Sequence, residues 1–469
     1  MKNHLLLLWI ALNVGVTCQA EAPYSPFRST TAPSILSTSL GLGPGRETIQ
    51  HPNAGSPSPF RIITETPGDT LQKTSEWTDA CREITEDLRF NILSFWEKFA
   101  PDPAGGFYGQ LLYDGRPRPE APKGGVLNAR ILWTFSAAYR LFKDPAYKAL
   151  ADRAQQYFLT YFIDPRYGGT YWSLNADGTP KDTDKQTYGL SYAIYGLTEH
   201  YRATGSSESL EKAMDLFHTL ETRVADPVYG GYIESFTRDW QKPSKYGYDG
   251  KGIAPKTMNT HLHVLEAYTA LCRVNPQTEV RQALEKLIDL AMYKIVDVTT
   301  WHENLYFTKD WKSLENIRSY GHDIEFSWLL TEAADVLKDP ERIREARRIA
   351  LHVADTQMKE GRTPEGAMMY EKNGDRLRAD LDWWPQAESV VGFANAWQIS
   401  GDPRYKEAAL QTWEWIKKNM IDYDYGEWYA TVKADGAPVK KALKASLWRC
   451  PYHNSRMGME VYERFLKEK

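Results

Sequence analysis

One short phrase recurs six times along the 469 residues of this chain, and its spacing restricts the chain to a repeat architecture. The phrase is Gly105-Gly106-Phe107 followed by Tyr113-Asp114-Gly115. It returns as Gly168-Gly169-Thr170 with Ala176-Asp177-Gly178, and as Gly230-Gly231-Tyr232 with Arg238-Asp239-Trp240. Weaker copies are Glu303-Asn304-Leu305 with Lys309-Asp310-Trp311, Glu365-Gly366-Ala367 with Lys372-Asn373-Gly374, and Tyr425-Gly426-Glu427 with Ala434-Asp435-Gly436. With Gly106, Gly169, Gly231, Glu303, Gly366 and Gly426 as markers, the steps are 63, 62, 72, 63 and 60 residues. A fixed period of this size means one supersecondary unit used repeatedly. Alternating aromatic and polar residues ending in a turn dipeptide predict a short β-hairpin in each copy.

Two amphipathic helices fit between successive hairpins. Their apolar residues recur at three and four, as in Ile131, Leu132, Phe135 and Ala138. The expected ranges are 124–141 with 145–162, 185–203 with 207–224, and 255–273 with 277–295. They continue as 320–337 with 341–358, and 382–399 with 403–420. Helix 76–99 opens the series and 442–466 closes it. Six helical pairs can make an open solenoid or a closed ring. The first element is a lone helix before a hairpin, and the last is a lone helix after one. Together they complete a pair. Both carry apolar faces, unlike the polar outer face of a solenoid cap. The expectation is an all-α fold, an (α/α)6 barrel of six helical hairpins with short β-hairpins at one end, over residues 74–469.

Residues 1–22 read as a signal peptide: Lys2 and His4, an apolar run from Leu5 to Val16, then small residues at Thr17, Ala20 and Ala22. The run is too short for a permanent membrane span. The expected location is therefore periplasmic or secreted. Cys18 raises lipid anchoring as an alternative, although Gly15-Val16-Thr17 is a poor attachment pattern. Residues 23–73, rich in Ser, Thr, Pro and Gly, read as a flexible linker. Cys81, Cys272 and Cys450 are too few and too scattered for a disulfide framework. The net charge of −4 argues against a nucleic-acid partner. A monomer or weak dimer is expected. With 16 Trp and 28 Tyr, the chain has rings enough to fill a helical core and still stack on sugars.

Unusual polar and aromatic residues collect on the helix after each hairpin. In chain order these are Asn128 and Arg130; Tyr188; Asn259, His261, His263 and Glu266; His322 and Glu325; Trp383, Trp384, Gln386 and Glu388; and Trp448, Tyr452, His453 and Asn454. All lie in or near the first turns, and in a barrel these ends converge. Asn259 and His263 share a helix face, as do His322 and Glu325. His261 and His263 stand about 200° apart and cannot both face a cavity; His263 is placed inside because Asn259 shares its face. Each residue has a plainer reading as a cap, a structural ion pair or core. The coincidence of three His, an Arg and two Glu at equivalent positions weighs against it. A zinc site built on His263, His322 and His453 is the rival.

These segments make the chain resemble the cellobiose 2-epimerases of the N-acylglucosamine 2-epimerase superfamily, over residues 78–466. The matching stretches are Leu127-Asn128-Ala129-Arg130, Met258 to Tyr268, Gly321-His322-Asp323-Ile324-Glu325, Trp383 to Glu388, and Pro451-Tyr452-His453-Asn454. The resemblance implies cofactor-free, metal-free C2 epimerisation of the reducing-end sugar of a β-1,4-linked disaccharide: cellobiose, or its relatives mannobiose and lactose. It implies that His322 and His453 are the acid/base pair and that His263 assists proton movement between O1 and O2. It further implies that Arg130, Asn259, Tyr188, Glu325, Trp384, Glu388 and Trp448 line the substrate site.

The residue types suit this chemistry. Once the ring has opened to an aldehyde, a base can remove the C2 proton to give an enediolate. Arg130 and His263 can donate to its oxyanion. Two imidazoles can exchange the proton on either face. Glu325 can orient a neighbouring His, and Trp384 and Trp448 can stack on pyranose rings. Three alternatives use the same parts: an aldose–ketose isomerase, a glycoside hydrolase with Glu325 and Glu388 as its carboxylates, and a sugar-binding protein without catalysis. The long step before the fourth copy lies around 243–256, where a loop overhanging the cavity is expected.

Overall fold

The computed structural model describes residues 67–467 except 244–245, 247–251 and 253, with side chains from residue 75 onward. The expected signal segment, Cys18 and most of the linker lie outside the described residues.

Six helices form an inner ring: Gly125–Phe142, Thr187–Thr204, Met258–Val274, Tyr320–Leu337, Trp383–Ser400 and Tyr452–Val461. Each packs on the next, and the last packs on the first, so the ring is closed. An outer layer is built from Pro67–Glu86, Pro145–Tyr157, Ser207–Thr219, Thr278–Leu290, Pro340–Thr356 and Pro403–Asn419. The first outer helix packs on the last inner helix, which completes the sixth pair. This is the (α/α)6 barrel expected from the lone helices at the two ends.

The division into inner and outer helices follows from side-chain pattern. Inner helices are buried nearly all round, as in Gly125–Phe142, because they face outer helices on one side and the barrel interior on the other. Outer helices bury a stripe: in Thr278–Leu290 it is Val280, Ala283, Leu284, Leu287 and Ile288. Three outer helices begin Asp-Pro. The side chains of Asp144, Asp339 and Asp402 accept from N–H groups of the first turn, and the proline stands where no donor is needed. The first outer helix begins at Pro67, inside the segment expected to be linker. Residues 67–75 carry little apolar period, so only the proline marked that start. The helix continues through a π turn, Asp87–Leu93, into Ser94–Phe99.

The hairpins are smaller than expected and are stitched to one another. The two residues leading into an inner helix pair with the following hairpin: Lys123–Gly124 with Ser173–Leu174, Lys185–Gln186 with Ser235–Phe236, and Lys256–Thr257 with Tyr306–Phe307. The same pattern joins Ile317–Ser319 to Glu371–Asn373 and Leu381–Asp382 to Thr431–Val432. A bridge between Ala445 and Leu111 closes this circle as well.

Pairing also corrects the register of the weaker copies. Thr170, Tyr232, Met368 and Trp428 bridge back to Ile163, Ala225, Arg362 and Ile421, and Glu303 pairs with Val296 in the same way. Glu303 therefore matches Thr170. The markers of the last three copies are His302, Ala367 and Glu427, one residue from those read off the sequence. Glycine is required at Gly106, where φ is 61° and a Cβ would lie 2.6 Å from the Tyr157 ring. Trp240 and Trp311 occupy left-handed turn positions at φ 66° and 67°, which costs about 1–2 kcal/mol each. Their indole N–H groups donate to the carbonyls of Tyr167 (2.8 Å) and Tyr229 (2.9 Å), tying each hairpin to the one before.

A second device recurs in four repeats. Lys123, Lys185, Lys256 and Lys444 reach Asp102, Asp164, Asp226 and Asp422 at 2.6, 2.9, 2.8 and 2.7 Å. Each is buried, and three of the ammonium groups also donate to a hairpin carbonyl, those of Gly105, Gly230 and Gly426. Such satisfaction is what makes a buried ion pair tolerable. These bolts fix the helix ends that bear the candidate site.

Candidate active site

A cavity of about 430 Å³ opens at the hairpin end of the ring. Nine of the ten expected site residues line it: Arg130, Tyr188, Asn259, His263, His322, Glu325, Trp384, Trp448 and His453. Glu388, expected among them, lies behind His453 instead, with Oε1 2.7 Å from His453 Nδ1. Tyr246 and Ala254, from the long segment before the third inner helix, are also on the wall.

The inner helices build this cavity in two levels. Five residues past the helix start come Arg130, Tyr192, His263, Glu325 and Glu388; four past the start of the last helix comes Arg456. This lower level is one connected network. Arg130 Nη2 donates to the hydroxyls of Tyr188 (2.9 Å) and Tyr192 (2.6 Å). The Tyr192 hydroxyl lies 3.0 Å from His263 Nδ1, which is 3.1 Å from Glu266. Arg456 binds Glu266, Glu325, Glu388 and the Tyr452 hydroxyl. One turn nearer the mouth, His322 and His453 stand at the same place in their repeats, each three residues before its lower-level partner. They come from the fourth and sixth inner helices, flanking the fifth. The Trp384 ring of the fifth touches both, with centroids 4.6 Å from His322 and 5.5 Å from His453.

The alternate polar residues, two positions before the lower level, turn the other way, and three of them clasp hairpin backbone. His261 accepts from the Tyr232 N–H, Asp323 from the Glu303 N–H, and Gln386 both accepts from and donates to Met368. Asn128 donates to the Gly124 carbonyl and Asn454 to the Glu427 carboxylate. The plain reading therefore holds for Asn128, His261, Gln386 and Asn454, and His263 rather than His261 faces the cavity, as their angular separation requires. Arg456 and Tyr192 were not singled out from sequence. Asn454-x-Arg456 repeats the spacing of Asn128-x-Arg130, and that was the signal.

Burial governs the protonation of this group. It holds the His322 imidazole down at about 3, helped by the positive fields of His263 and Arg130. It also holds His453 well below the usual range, with Arg130 and Arg456 adding to the effect. Both rings are thus neutral, and each keeps a nitrogen lone pair. His453 presents Nδ1 to Glu388, leaving Nε2 for the cavity, while His322 pairs Nδ1 with the Ser319 hydroxyl at 2.6 Å. Burial and the Glu388 charge push Glu325 up to about 7, and burial raises Glu388 as well. For Glu266 the upward push of burial is outweighed by Arg456 and His263, and it falls to about 2. Glu325, Glu388 and His453 bring ligand-type atoms within 4.8 Å of one another, the composition of a cation site. The Arg456 guanidinium is already bonded to Oε1 of both carboxylates, so the charge a metal would supply is in place.

The profile of the N-acylglucosamine 2-epimerase (GlcNAc 2-epimerase) family matches residues 106–455. A cellobiose 2-epimerase from Bacteroides fragilis is 44% identical over 384 residues, 81% of this chain and 98% of the relative. One from Ruminococcus albus is 37% identical over the same shares. The solved structure of cellobiose 2-epimerase from Bacillus thermoamylovorans superposes with a TM-score of 0.79 at 38% identity, covering 82% of this chain and 99% of that one. The chain belongs to the N-acylglucosamine 2-epimerase family and, within it, to the cellobiose 2-epimerase family.

Proposed function

We propose that this protein reversibly epimerises C2 of the reducing-end sugar of β-1,4-linked disaccharides, cellobiose above all, without a metal or other cofactor. The observation that carries the reading is the pair His322 and His453: two neutral imidazoles at equivalent positions, flanking one tryptophan face in one cavity. A pyranose stacked on Trp384 would have an imidazole at each edge. With the ring opened, one imidazole takes the C2 proton and the other returns a proton to the opposite face. Arg130 and His263 sit at the cavity floor, where the enediolate oxygens need donors. The Arg130 guanidinium stays cationic throughout, packed 4.2 Å from the Tyr192 ring centroid.

A hydrolase would need two carboxylates on opposite sides of a glycosidic bond. Glu325 and Glu388 instead converge on one nitrogen of Arg456, so they stand on the same side. A ketose-forming isomerase differs only in protonation at C1, and product analysis separates the two. The test is incubation with cellobiose in deuterated water. Glucosyl-mannose carrying deuterium at C2 is expected. Free glucose would mean hydrolysis, a fructose-ended product isomerisation, and no product a binder; each would overturn the proposal. Activity should survive dialysis against a chelator, and His453→Ala should lower kcat by about 10²–10⁴-fold.

We also propose that the protein is exported, on the charged and apolar pattern of residues 1–22. N-terminal sequencing of protein from fractionated cells would begin after Ala20 or Ala22; a retained Met1, or a diacylglyceryl mass at Cys18, would overturn simple export.

A further inference from the structure

Arg456 touches neither the cavity nor, on the reading above, the sugar; its side chain is 1% exposed. Yet the floor histidine His263 and one wall histidine, His453, are each backed by a carboxylate that it holds. Its Nη1 donates to Glu266, whose other oxygen bonds His263. Its Nη2 donates to Glu325 and, at 2.7 Å, to Glu388 Oε1, the same oxygen that meets His453 Nδ1. The guanidinium is wedged between the rings of Tyr452 (4.5 Å) and Trp328 (4.8 Å), and the Trp328 indole N–H donates to Glu388 Oε2 at 3.0 Å. One buried cation thus faces three buried carboxylates. These side chains are buried, so three negative charges against one positive are disfavoured, and a proton held on one carboxyl relieves the excess.

Resting on the epimerase reading, we infer that Arg456 is a positioning residue that keeps Glu266 ionised and loosens the hold of Glu388 on this proton, so that His453 exchanges the C2 proton by switching tautomers with Glu388. The bonds balance. When His453 delivers, its Nε2–H bond breaks and the enediolate electron pair forms the new C2–H bond. The Glu388 hydroxyl proton moves to Nδ1. The imidazole begins and ends neutral, and the negative charge leaves the enediolate for the Glu388 carboxylate beside Arg456. When His453 acts as base, each step reverses: Nε2 takes the C2 proton and Nδ1–H passes to the carboxylate. Neither direction requires a free imidazolium next to Arg130 and Arg456. Glu266 stays ionised and serves His263. The directions of titration in this group, up for Glu325 and Glu388 and down for Glu266, agree with that division.

The groups facing this exchange are Arg130, Tyr188 and Tyr192 from the first two inner helices, and His263 and Glu266 from the third. His322 and Glu325 face it from the fourth, Glu388 from the fifth, and Tyr452, His453 and Arg456 from the last. Removing the guanidinium should make Glu388 hold its proton more tightly, so the base form of the pair would need a higher pH. The experiment is kcat and KM for cellobiose against pH in wild type, Arg456→Gln and Arg456→Lys, with thermal melts. Arg456→Gln should lower kcat about 10–100-fold and move the acidic limb of the kcat profile up by about one pH unit. KM should stay within about twofold of wild type. Arg456→Lys should recover part of kcat, since a point charge can serve one carboxylate but not all three. A folded Arg456→Gln with the wild-type profile overturns the role. Should Arg456→Gln not fold, Trp328→Phe removes the other donor to Glu388; the acidic limb should again move upward, and an unchanged limb overturns the role. If wild type forms no epimer, the functional reading fails, separately from the role of Arg456.

Discussion

His322 and His453 occupy one structural position in two repeats but are tuned by different neighbours. A serine hydroxyl meets the first and a carboxylate the second. Burial makes both costly to charge, and that cost appears in stability. In the folded protein His322 takes a proton only near about 3, whereas in the unfolded chain it does so at its ordinary 6.5. Between those values the unfolded chain holds the extra proton, so the contribution of His322 is complete above 6.5 and is lost as pH falls towards 3. Glu325 acts in the opposite sense. Its folded value of about 7 exceeds the ordinary 4.5, so its contribution is present below 4.5 and is lost as pH rises through 7. Melting temperatures measured from pH 5 to pH 8 should therefore fall less steeply on acidification in His322→Gln than in wild type. They should fall less steeply on the alkaline side in Glu325→Gln. Parallel curves for variant and wild type would show that these groups are not held as described. Much of this level was legible: the hairpins indexed the helix starts, and the angle between His261 and His263 chose the inward one. Arg456 was not singled out, because an arginine within a helix reads as a surface cation until the six helices are set in register.

At the scale of elements, helix pairing followed from apolar period, while the hairpins needed three dimensions. A hairpin of two paired residues has almost no period to read, and its partner strand comes from a neighbouring repeat. The buried lysines were equally hidden, since a lone Lys before a helix usually means solvent. They differ in how much company their aspartates keep. Asp164 accepts from Lys185 and also from Arg238, at 2.9 Å to Nε. For Asp102 the corresponding cation is Lys123 alone among the ion pairs of the described residues, while Arg153 goes to backbone carbonyls. Removing one partner of a buried pair costs about 3–5 kcal/mol because the other charge is left behind. Lys123→Met should carry that full cost and Lys185→Met clearly less. Urea unfolding midpoints of the two variants against wild type would check the order; equal losses would mean that Arg238 does not compensate.

For the whole molecule the decisive fact is that the ring has no end. The seam between first and last elements is packed like the rest: the Trp77 and Phe465 rings lie 5.0 Å apart, and Glu83 accepts from Trp413 (3.0 Å) and Lys417. The hairpin circle crosses the same seam at Leu111 and Ala445. A solenoid would lose little if cut at one end; a closed ring loses half a pair and a wall of the cavity, because His453 sits on the closing helix. The converse is a sharper test. Pro67 stands ten residues from Trp77 along one helix, about 15 Å, so the two ends of the barrel lie within reach of a short connection. Joining residue 466 to residue 67 through about eight glycine and serine residues spans that distance. The chain can then be opened at Gly401-Asp402, an exposed turn between an inner and an outer helix where a Cβ on the glycine would meet nothing within 4 Å. The permuted protein should melt cooperatively within a few degrees of wild type and keep kcat for cellobiose within about threefold, because the same contacts close the ring wherever the chain begins. A permuted chain that melts in two steps, or folds without activity, would show that the seam between first and last helices is set by the order of the chain and not by ring closure alone.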